Sequence, residues 1–269
     1  QLYVAHGGRW ANMYGRQNHL SIYNGQDWRI IPYSDTWYYT GHDIRDVVKY
    51  AIDPQDPGHF FVATYGTGVF EFKDYRAIQH YDSSNSTLRK YAESVDDYYL
   101  TCTDGAVMDT EGNLWVLNAT TIGKPLHVRT KNGQWVGLDI YDNGQAIHLT
   151  TPGPIWIDQR NPQYKWIIDQ REEPGIILFH DNGTPTNSID DSAIKRNIFI
   201  DQDGKTIQPA NIMCLTQDLD NRIWVGTNAG LFVIPAGVDF YTSNSCKRII
   251  IPRNDGTNLG DYLFLKSEK

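Results

Sequence analysis

Asp109 with Glu111 and Asp218 with Asp220 are carboxylates two residues apart in short polar turns, and such pairs could serve acid–base chemistry of the glycosidase kind. Asp201-Gln-Asp-Gly204 begins like a calcium loop but lacks the third acidic ligand position and the distal Glu of an EF-hand, so a turn is the better reading. The 8 His are dispersed, with no HExxH, and no Gly-x-Ser-x-Gly elbow is present. The GTGVF stretch at Gly66 has no GxGxxG and no following Lys-Ser/Thr, which makes it a turn leading into a strand rather than a phosphate cradle. Cys102, Cys214 and Cys246 form no CxxC. With Cys214 on the first strand of a sheet and Cys246 on the last, two intervening strands at about 4.8 Å spacing exceed the roughly 7 Å Cα separation that a disulfide tolerates. Three free thiols, no metal, no cofactor and no catalytic residue are therefore expected.

The carboxylates are better explained by repetition. DTEGNLWV (Asp109 to Val116) and DLDNRIWV (Asp218 to Val225) share one Asp-to-Trp spacing, and IDPQDPGHFFV (Ile52 to Val62) and IDQRNPQYKWI (Ile157 to Ile167) repeat it with a longer turn containing Pro. Downstream, Thr64 to Phe70, Pro174 to Phe179 and Thr227 to Phe232 each place a Gly before an apolar strand. An Asp that recurs at the same place in every unit is a turn former, since its side chain caps tight turns. The Ser-x-Asp-x-Gly order of sialidase-type propellers is absent, and a sialidase would also need an Arg cluster and a Tyr nucleophile. Trp115, Trp166 and Trp224 are the matching core candidates, one for each of three units.

The elements that carry these turns are strands. The 269 residues are 40% hydrophobic and 13% aromatic with 23 Gly and 12 Pro, enough to bury a sizeable core while turning often. Aromatic and β-branched residues favour pleated strands, and Gly, Asn and Asp favour the turns between them. No helix is predicted; Ser86 to Val95 has some helical propensity but no sustained apolar face. A unit of strand, turn, aromatic strand, loop and strand repeating at roughly 40–60 residues points to a radial repeat architecture. The reading is an all-β, β-propeller-like domain over residues 1–269 with about five four-stranded blade units. The first unit is incomplete: Leu2 to Ala5, His19 to Tyr23 and Trp28 to Ile31 supply three strands and the innermost is missing. Complete units follow at about Asp43 to Tyr81, Tyr98 to Ile140, Ala146 to Phe199 and Asn211 to Ile251. In the tail Asn258 to Lys269, the run Tyr262 to Leu265 is expected to pair with the Leu2 to Ala5 strand, or else to leave an open arc.

The formal net charge is −8 and the 24 basic residues are scattered, which argues against a nucleic-acid partner. No apolar run approaches the roughly 20 residues that span a bilayer, and no signal peptide is visible before Leu2. This suits a cytoplasmic chain or a mature, processed domain.

The same residues carry a resemblance. DxxGNxWV followed by GTxxGL, as in Asp218 to Leu231, resembles the repeat of the two-component-regulator propeller family. LYVAHGGRW (Leu2 to Trp10), AIDPQDPGHFFVATYGTGVFEF (Ala51 to Phe72), DQDGKTIQP (Asp201 to Pro209) and CKRIIIPRNDGTNLGDYL (Cys246 to Leu263) together resemble the second propeller of PorZ-like proteins, surface components of the type IX secretion machinery of Bacteroidetes. The resemblance implies a non-enzymatic propeller at the cell surface or in the periplasm, recognising an anionic glycan or lipopolysaccharide and working with a surface sortase. The repeat also builds glycan-binding periplasmic sensors of hybrid two-component systems, which stay open as an alternative, with a carbohydrate-active enzyme behind them.

In a four-stranded blade, first-to-second and third-to-fourth turns share one end, while second-to-third loops and blade links share the other. The first set is short here (DTEGN, DLDNR, TKNGQ, HDNGT) and the second long: His6 to Asn18, Tyr33 to Asp43, the Asp82 to Tyr98 link and Thr184 to Pro209. Long loops gathered at one end are where binding residues collect. Arg9, Trp10, Tyr14, Arg16, Trp37, Tyr38, Tyr65, Lys124 and Arg171 are the candidate ligand-binding residues, offering stacking platforms for sugars and cations for anionic groups. Trp10, Trp37 and the Tyr38-Tyr39 pair are expected in loops outside the repeat.

Overall fold

Runs such as His59-Phe-Phe-Val-Ala-Thr-Tyr-Gly66 alternate bulky residues to opposite faces of a strand, and here both faces are buried: Phe60 and Val62 enter one core cluster and Phe61 and Ala63 another. The computed structural model describes residues 1–8, 15–91, 101–257 and 260–263. The chain forms two compact units, Gln1–Ile140 with Thr184–Ile189, and Tyr141–Gly183 with Asp190–Lys269.

The first unit begins with an antiparallel three-stranded sheet, β1 (Leu2–Val4), β2 (Leu20–Tyr23) and β3 (Trp28–Ile31), in that order. It is the incomplete first repeat. Helix α1 (Tyr33–Thr40) follows. Then come β4 (Val47–Ile52), β5 (His59–Gly66), β6 (Gly68–Lys73) and β7 (Arg76–Tyr81), and after them β8 (Thr101–Met108), β9 (Leu114–Asn118), β10 (Leu126–Arg129) and β11 (Trp135–Leu138). Each group of four is an antiparallel meander, and the two are joined where Tyr65 and Gly66 pair with Cys102 and Thr101. Leu20, Ile22 and Ile31 pack on Phe60, Val62, Phe70 and Phe72. The opposite face of β4–β6, with Ala51, Phe61 and Val69, packs on Ala106, Leu114 and Val116. Between these two sheets, Glu71 accepts from His59, Tyr81 and Arg129 at 2.9, 2.7 and 3.2 Å.

The second unit holds β12 (Tyr141–Asp142), β13 (Gln145–Ala146), β14 (Pro152–Ile157), β15 (Tyr164–Asp169), β16 (Gly175–His180) and β17 (Ser192–Arg196), in the order β13-β12-β17-β16-β15-β14. The β12–β13 hairpin is an addition to the expected four strands and joins β17 in parallel. A short hairpin, β18 (Phe199–Ile200) and β19 (Thr206–Ile207), precedes the meander β20 (Ile212–Gln217), β21 (Ile223–Thr227), β22 (Gly230–Ile234) and β23 (Lys247–Arg248). Trp166, Ile168 and Ile176 pack with Ile212, Val225, Phe232 and Phe240.

The repeated Asp makes the same pair of bonds wherever a Trp follows it on the next strand. Asp109 Oδ1 accepts the Glu111 and Asn113 N–H groups at 3.0 and 2.8 Å, while Oδ2 accepts the Trp115 indole N–H at 2.9 Å. Asp218 Oδ1 takes Asp220 and Arg222 N–H, and Oδ2 takes Trp224 Nε1 at 2.6 Å. Asp158 likewise holds Trp166 Nε1 at 3.0 Å. In β5 the aromatic is Phe61, which has no N–H, and Asp53 Oδ2 instead bonds His59 Nδ1 at 3.0 Å. Asp201 Oδ1 accepts Asp203 and Lys205 N–H at 2.9 and 2.8 Å, so the calcium-like stretch is this same turn, joining β18 to β19. The residue three after each Asp is left-handed where the turn is tightest, Gly112 at φ 87°, Gly204 at 74° and Asn221 at 63°, a conformation Gly and Asn adopt at least cost.

Four expectations need correction. Tyr33 to Thr40 is a helix rather than a loop: Pro32 presets its start at φ −63°, and Gly41, left-handed at φ 72°, closes it with an N–H bond to Trp37 O at 2.8 Å. Short length and the absence of an apolar stripe hid it. Tyr262, the start of the tail run, pairs within β25 (Gly260–Tyr262) against β24 (Ile250–Pro252) rather than with Leu2 to Ala5, while Phe264 and Leu265 lie outside the described residues. Trp224 is only half-buried, on the face of β21 opposite the one that enters the core, whereas Trp115 and Trp166 are 0% and 3% exposed. Cys246 lies just before β23 rather than on it, its N–H bonded to Ile200 O, and all three cysteines are free. Of the Ser86 to Val95 segment, Ser86 to Tyr91 is not helical, and the remainder falls outside the described residues.

These contacts set the stability. Trp115→Ala should cost about 3–5 kcal/mol in urea unfolding, the usual penalty for emptying a large aromatic site, and Trp224→Ala clearly less. His127 is buried, with Nδ1 2.9 Å from Thr87 Oγ1, and burial pushes its pKa down to about 3. A depressed folded pKa means that stability is complete above the unfolded value near 6.5 and is lost as pH falls toward the folded one. Between pH 6.5 and 5 the loss from this group should be about 2 kcal/mol. His127→Asn should flatten that limb of the urea-midpoint profile, and an unchanged slope would contradict it.

Candidate functional site

Helix α1 lies against β7 and turns only Thr36 fully inward. Its aromatic residues face out: Trp37 is 54% exposed and Tyr38 80%, with Tyr33 and Tyr39 exposed beside them. Tyr38 and Tyr39 meet edge to face at 5.1 Å. Large aromatics left in water on a capped helix make a surface that gains free energy when a ring covers it.

Beside this helix is a cleft of about 500 Å³. The end of α1 and its continuation supply Trp37, His42 and Arg45, the β5–β6 turn supplies Thr67, and the end of β7 supplies His80 and Asp82. That turn requires Gly68, left-handed at φ 78°, because a Cβ there would stand 2.2 Å from Tyr81 O. His80 is buried with Nε2 2.6 Å from the Thr67 carbonyl; a carbonyl only accepts, so the proton sits on Nε2. Burial lowers the His80 pKa, and the neighbouring His42, stacked on it at 4.0 Å, adds to the shift. Asp82 Oδ1 accepts the Ser84 N–H and hydroxyl at 2.7 and 2.6 Å. Partial burial would raise the Asp82 pKa, but these bonds hold it below the usual carboxylate range.

Arg45 grips Asp43 through Nε and Nη2 at 2.9 and 2.7 Å, so that guanidinium reaches the cleft already paired. Next to it Asp46, fully buried at φ 48°, accepts the Gly15 and Arg16 N–H groups at 2.7 and 3.1 Å. Its own N–H goes to Arg16 O, and its carbonyl receives the Tyr65 N–H at 2.9 Å. Burial raises the Asp46 pKa despite the bonds from Gly15 and Arg16.

Of the candidate ligand-binding residues, Trp37 lines the cleft, and Arg16 and Tyr65 are drawn together by Asp46 beside it. Tyr38 stands on the same helix without lining the cleft. Lys124 is in the β9–β10 turn at φ 48°, its N–H on Asp139 Oδ1 at 2.6 Å, and does not line the cleft. Arg171 is in the β15–β16 turn of the second unit, its N–H on Thr151 Oγ1 at 2.8 Å. Arg9, Trp10 and Tyr14 lie outside the described residues. Sequence reasoning missed His42, Arg45, Thr67, His80, Asp82 and Ser84. Their sequence signal was membership of, or adjacency to, the long links at that end of the sheet, except for Thr67, which lies in the short turn at Gly66. The arrangement offers an aromatic platform beside a wall of hydroxyl, carboxylate and imidazole groups, and the cleft's charges are balanced by Asp43 and Asp82 against Arg45 and Lys90. Among the described residues, no cluster of three or more His, Cys, Asp or Glu could hold a metal ion.

No family model matches the chain, and no curated protein matches it. Solved structures do. PorZ, an essential bacterial surface component of the type IX secretion system of Porphyromonas gingivalis, superimposes with a TM-score of 0.83 over 97% of this chain at 23% identity. The extracellular domain of the putative hybrid two-component system BT3049 from B. thetaiotaomicron does so with a TM-score of 0.50 over 86% at 17% identity. The chain spans 35% of the first of these structures and 26% of the second. Both matched proteins are surface or extracellular, and among the described residues no helix is long and apolar enough to cross a membrane. Five repeats of antiparallel strands, each complete one built on an Asp-anchored turn, together with these superpositions, make the fold a β-propeller similar to that of PorZ.

Proposed function

We propose that the chain is a non-enzymatic binding or scaffolding propeller of the bacterial envelope, and that Trp37 and the cleft beside it hold a glycan. The observation that carries this reading is Trp37 itself, half-exposed on a helix closed by Gly41, at the rim of a cleft rich in hydroxyl-matching groups. A sugar ring offers an apolar face to stack on the indole and a hydroxyl edge for Asp82, Ser84 and Thr67. The repeated carboxylates support a binding role over catalysis, because both oxygens of Asp109 and Asp218 already accept backbone and indole N–H groups. Lipopolysaccharide is the glycan that the resemblance to PorZ favours, and a cell-surface sortase the partner. Its anionic groups would be met by Arg16, since Arg45 is already paired with Asp43. The match to a two-component-system domain supports a second reading, a periplasmic glycan sensor using the same cleft.

Trp37→Ala should weaken binding of lipopolysaccharide or of arrayed glycans about tenfold, equivalent to about 1.4 kcal/mol, with an unchanged melting temperature because the side chain is half in water. Binding that survives the substitution unchanged would place the site elsewhere.

A further inference from the structure

The second unit carries a groove of its own. Two adjoining hollows, of about 620 and 420 Å³, share Glu173 and Lys195. The wall of one is the β12–β13 hairpin, the addition that makes this sheet six-stranded. Asn143 and Gly144, at φ 48° and 80°, form its two-residue turn, and Asp142 Oδ2 pins it by accepting the Lys195 N–H at 3.0 Å. The opposite wall is the β15–β16 turn, where Glu172 is left-handed at φ 34°.

Lys195 is the central group. Its side chain crosses Gly175, where a Cβ would stand 2.7 Å from Lys195 Cε. Its ammonium donates to Asp169 Oδ2 at 3.0 Å, and Asp169 is itself fully buried and bonded to the Thr151 N–H and hydroxyl, both at 3.2 Å. An ammonium has three donors, so two positions remain to face the groove. The Asp169 carboxylate offsets its charge, which leaves a hydrogen-bond donor rather than an anion anchor. Around it stand Glu173, Asn197 and Gln208, planar groups whose paired atoms match adjacent hydroxyls. Glu172, Glu173 and Asp142 would repel phosphate or sulfate. Among the described residues no Trp, Tyr or Phe lines either hollow and the exposed His148 is the one aromatic ring there, so recognition here runs mainly through hydroxyl edges.

We infer that this groove is a second saccharide site, selective for uncharged, hydroxyl-rich chains and separate from the cleft beside Trp37. The inference does not depend on the function proposed for that cleft, and the two are tested apart by working in a Trp37→Ala background. A printed array of neutral, sulfated and phosphorylated oligosaccharides is the probe. The Trp37→Ala protein should retain neutral glycans in preference to the anionic ones. Adding Glu173→Gln and Asn197→Ala, both exposed positions that leave the Lys195–Asp169 pair intact, should lower that binding at least tenfold with the melting temperature unchanged. The inference is overturned if the Trp37→Ala protein holds no neutral glycan, if the added substitutions leave binding as it was, or if anionic glycans bind equally well.

Discussion

A single carboxylate with two jobs organises this protein. One oxygen of the repeated Asp gathers the N–H groups of the turn that follows it, and the other receives the indole N–H of the aromatic residue on the next strand. The first job sets the turn and therefore the register of the hairpin. The second places the largest side chain of the unit at a fixed height on the sheet, where its polar atom is satisfied and its rings can be buried. A buried indole without that partner would leave an N–H unpaired at a cost of about 1–3 kcal/mol. Where the aromatic is Phe61, with no N–H, the carboxylate of Asp53 turns to His59, which links through Glu71 to Tyr81 and Arg129. The same turn position thus ties one hairpin to itself in some sheets and to its neighbour in another.

With the short turns committed to this bonding, variation falls to the other end of the sheets. The β5–β6 turn in the first unit and the β15–β16 turn in the second join equivalent strands of their repeats, and each borders a hollow. The inserted elements differ. A short aromatic helix builds one wall in the first unit, and an appended polar hairpin builds one in the second. Loops borne on rigid sheets can change in this way without disturbing the core. The cations at both hollows are paired, Arg45 with Asp43 and Lys195 with Asp169. Such pairs favour hydrogen bonding over long-range attraction, in keeping with a chain whose net charge is −8.

The sequence by itself determined the repeat. Asp-to-Trp spacing, alternating aromatic strands and left-handed Gly or Asn in the turns are local properties, so the four complete sheets and the incomplete first one could be placed from residue types alone. It also set Trp37 and the long links apart from the repeat, because aromatics outside a repeat are conspicuous, but it did not show the helix that carries Trp37. Tertiary structure decided the rest. Helix α1 has eight residues and no apolar stripe, so its existence depends on Gly41 and on packing against β7. His80 and Thr67 are far apart in chemistry and 13 residues apart in sequence, and only the antiparallel pairing of β6 with β7 brings them to a 2.6 Å bond. Trp224 carries the same motif as Trp115, yet it is half-buried because burial depends on what covers the outward face of a sheet, which no local spacing encodes. Periodicity specifies how a strand turns and which way its side chains point; which surfaces meet is a property of the assembled sheets.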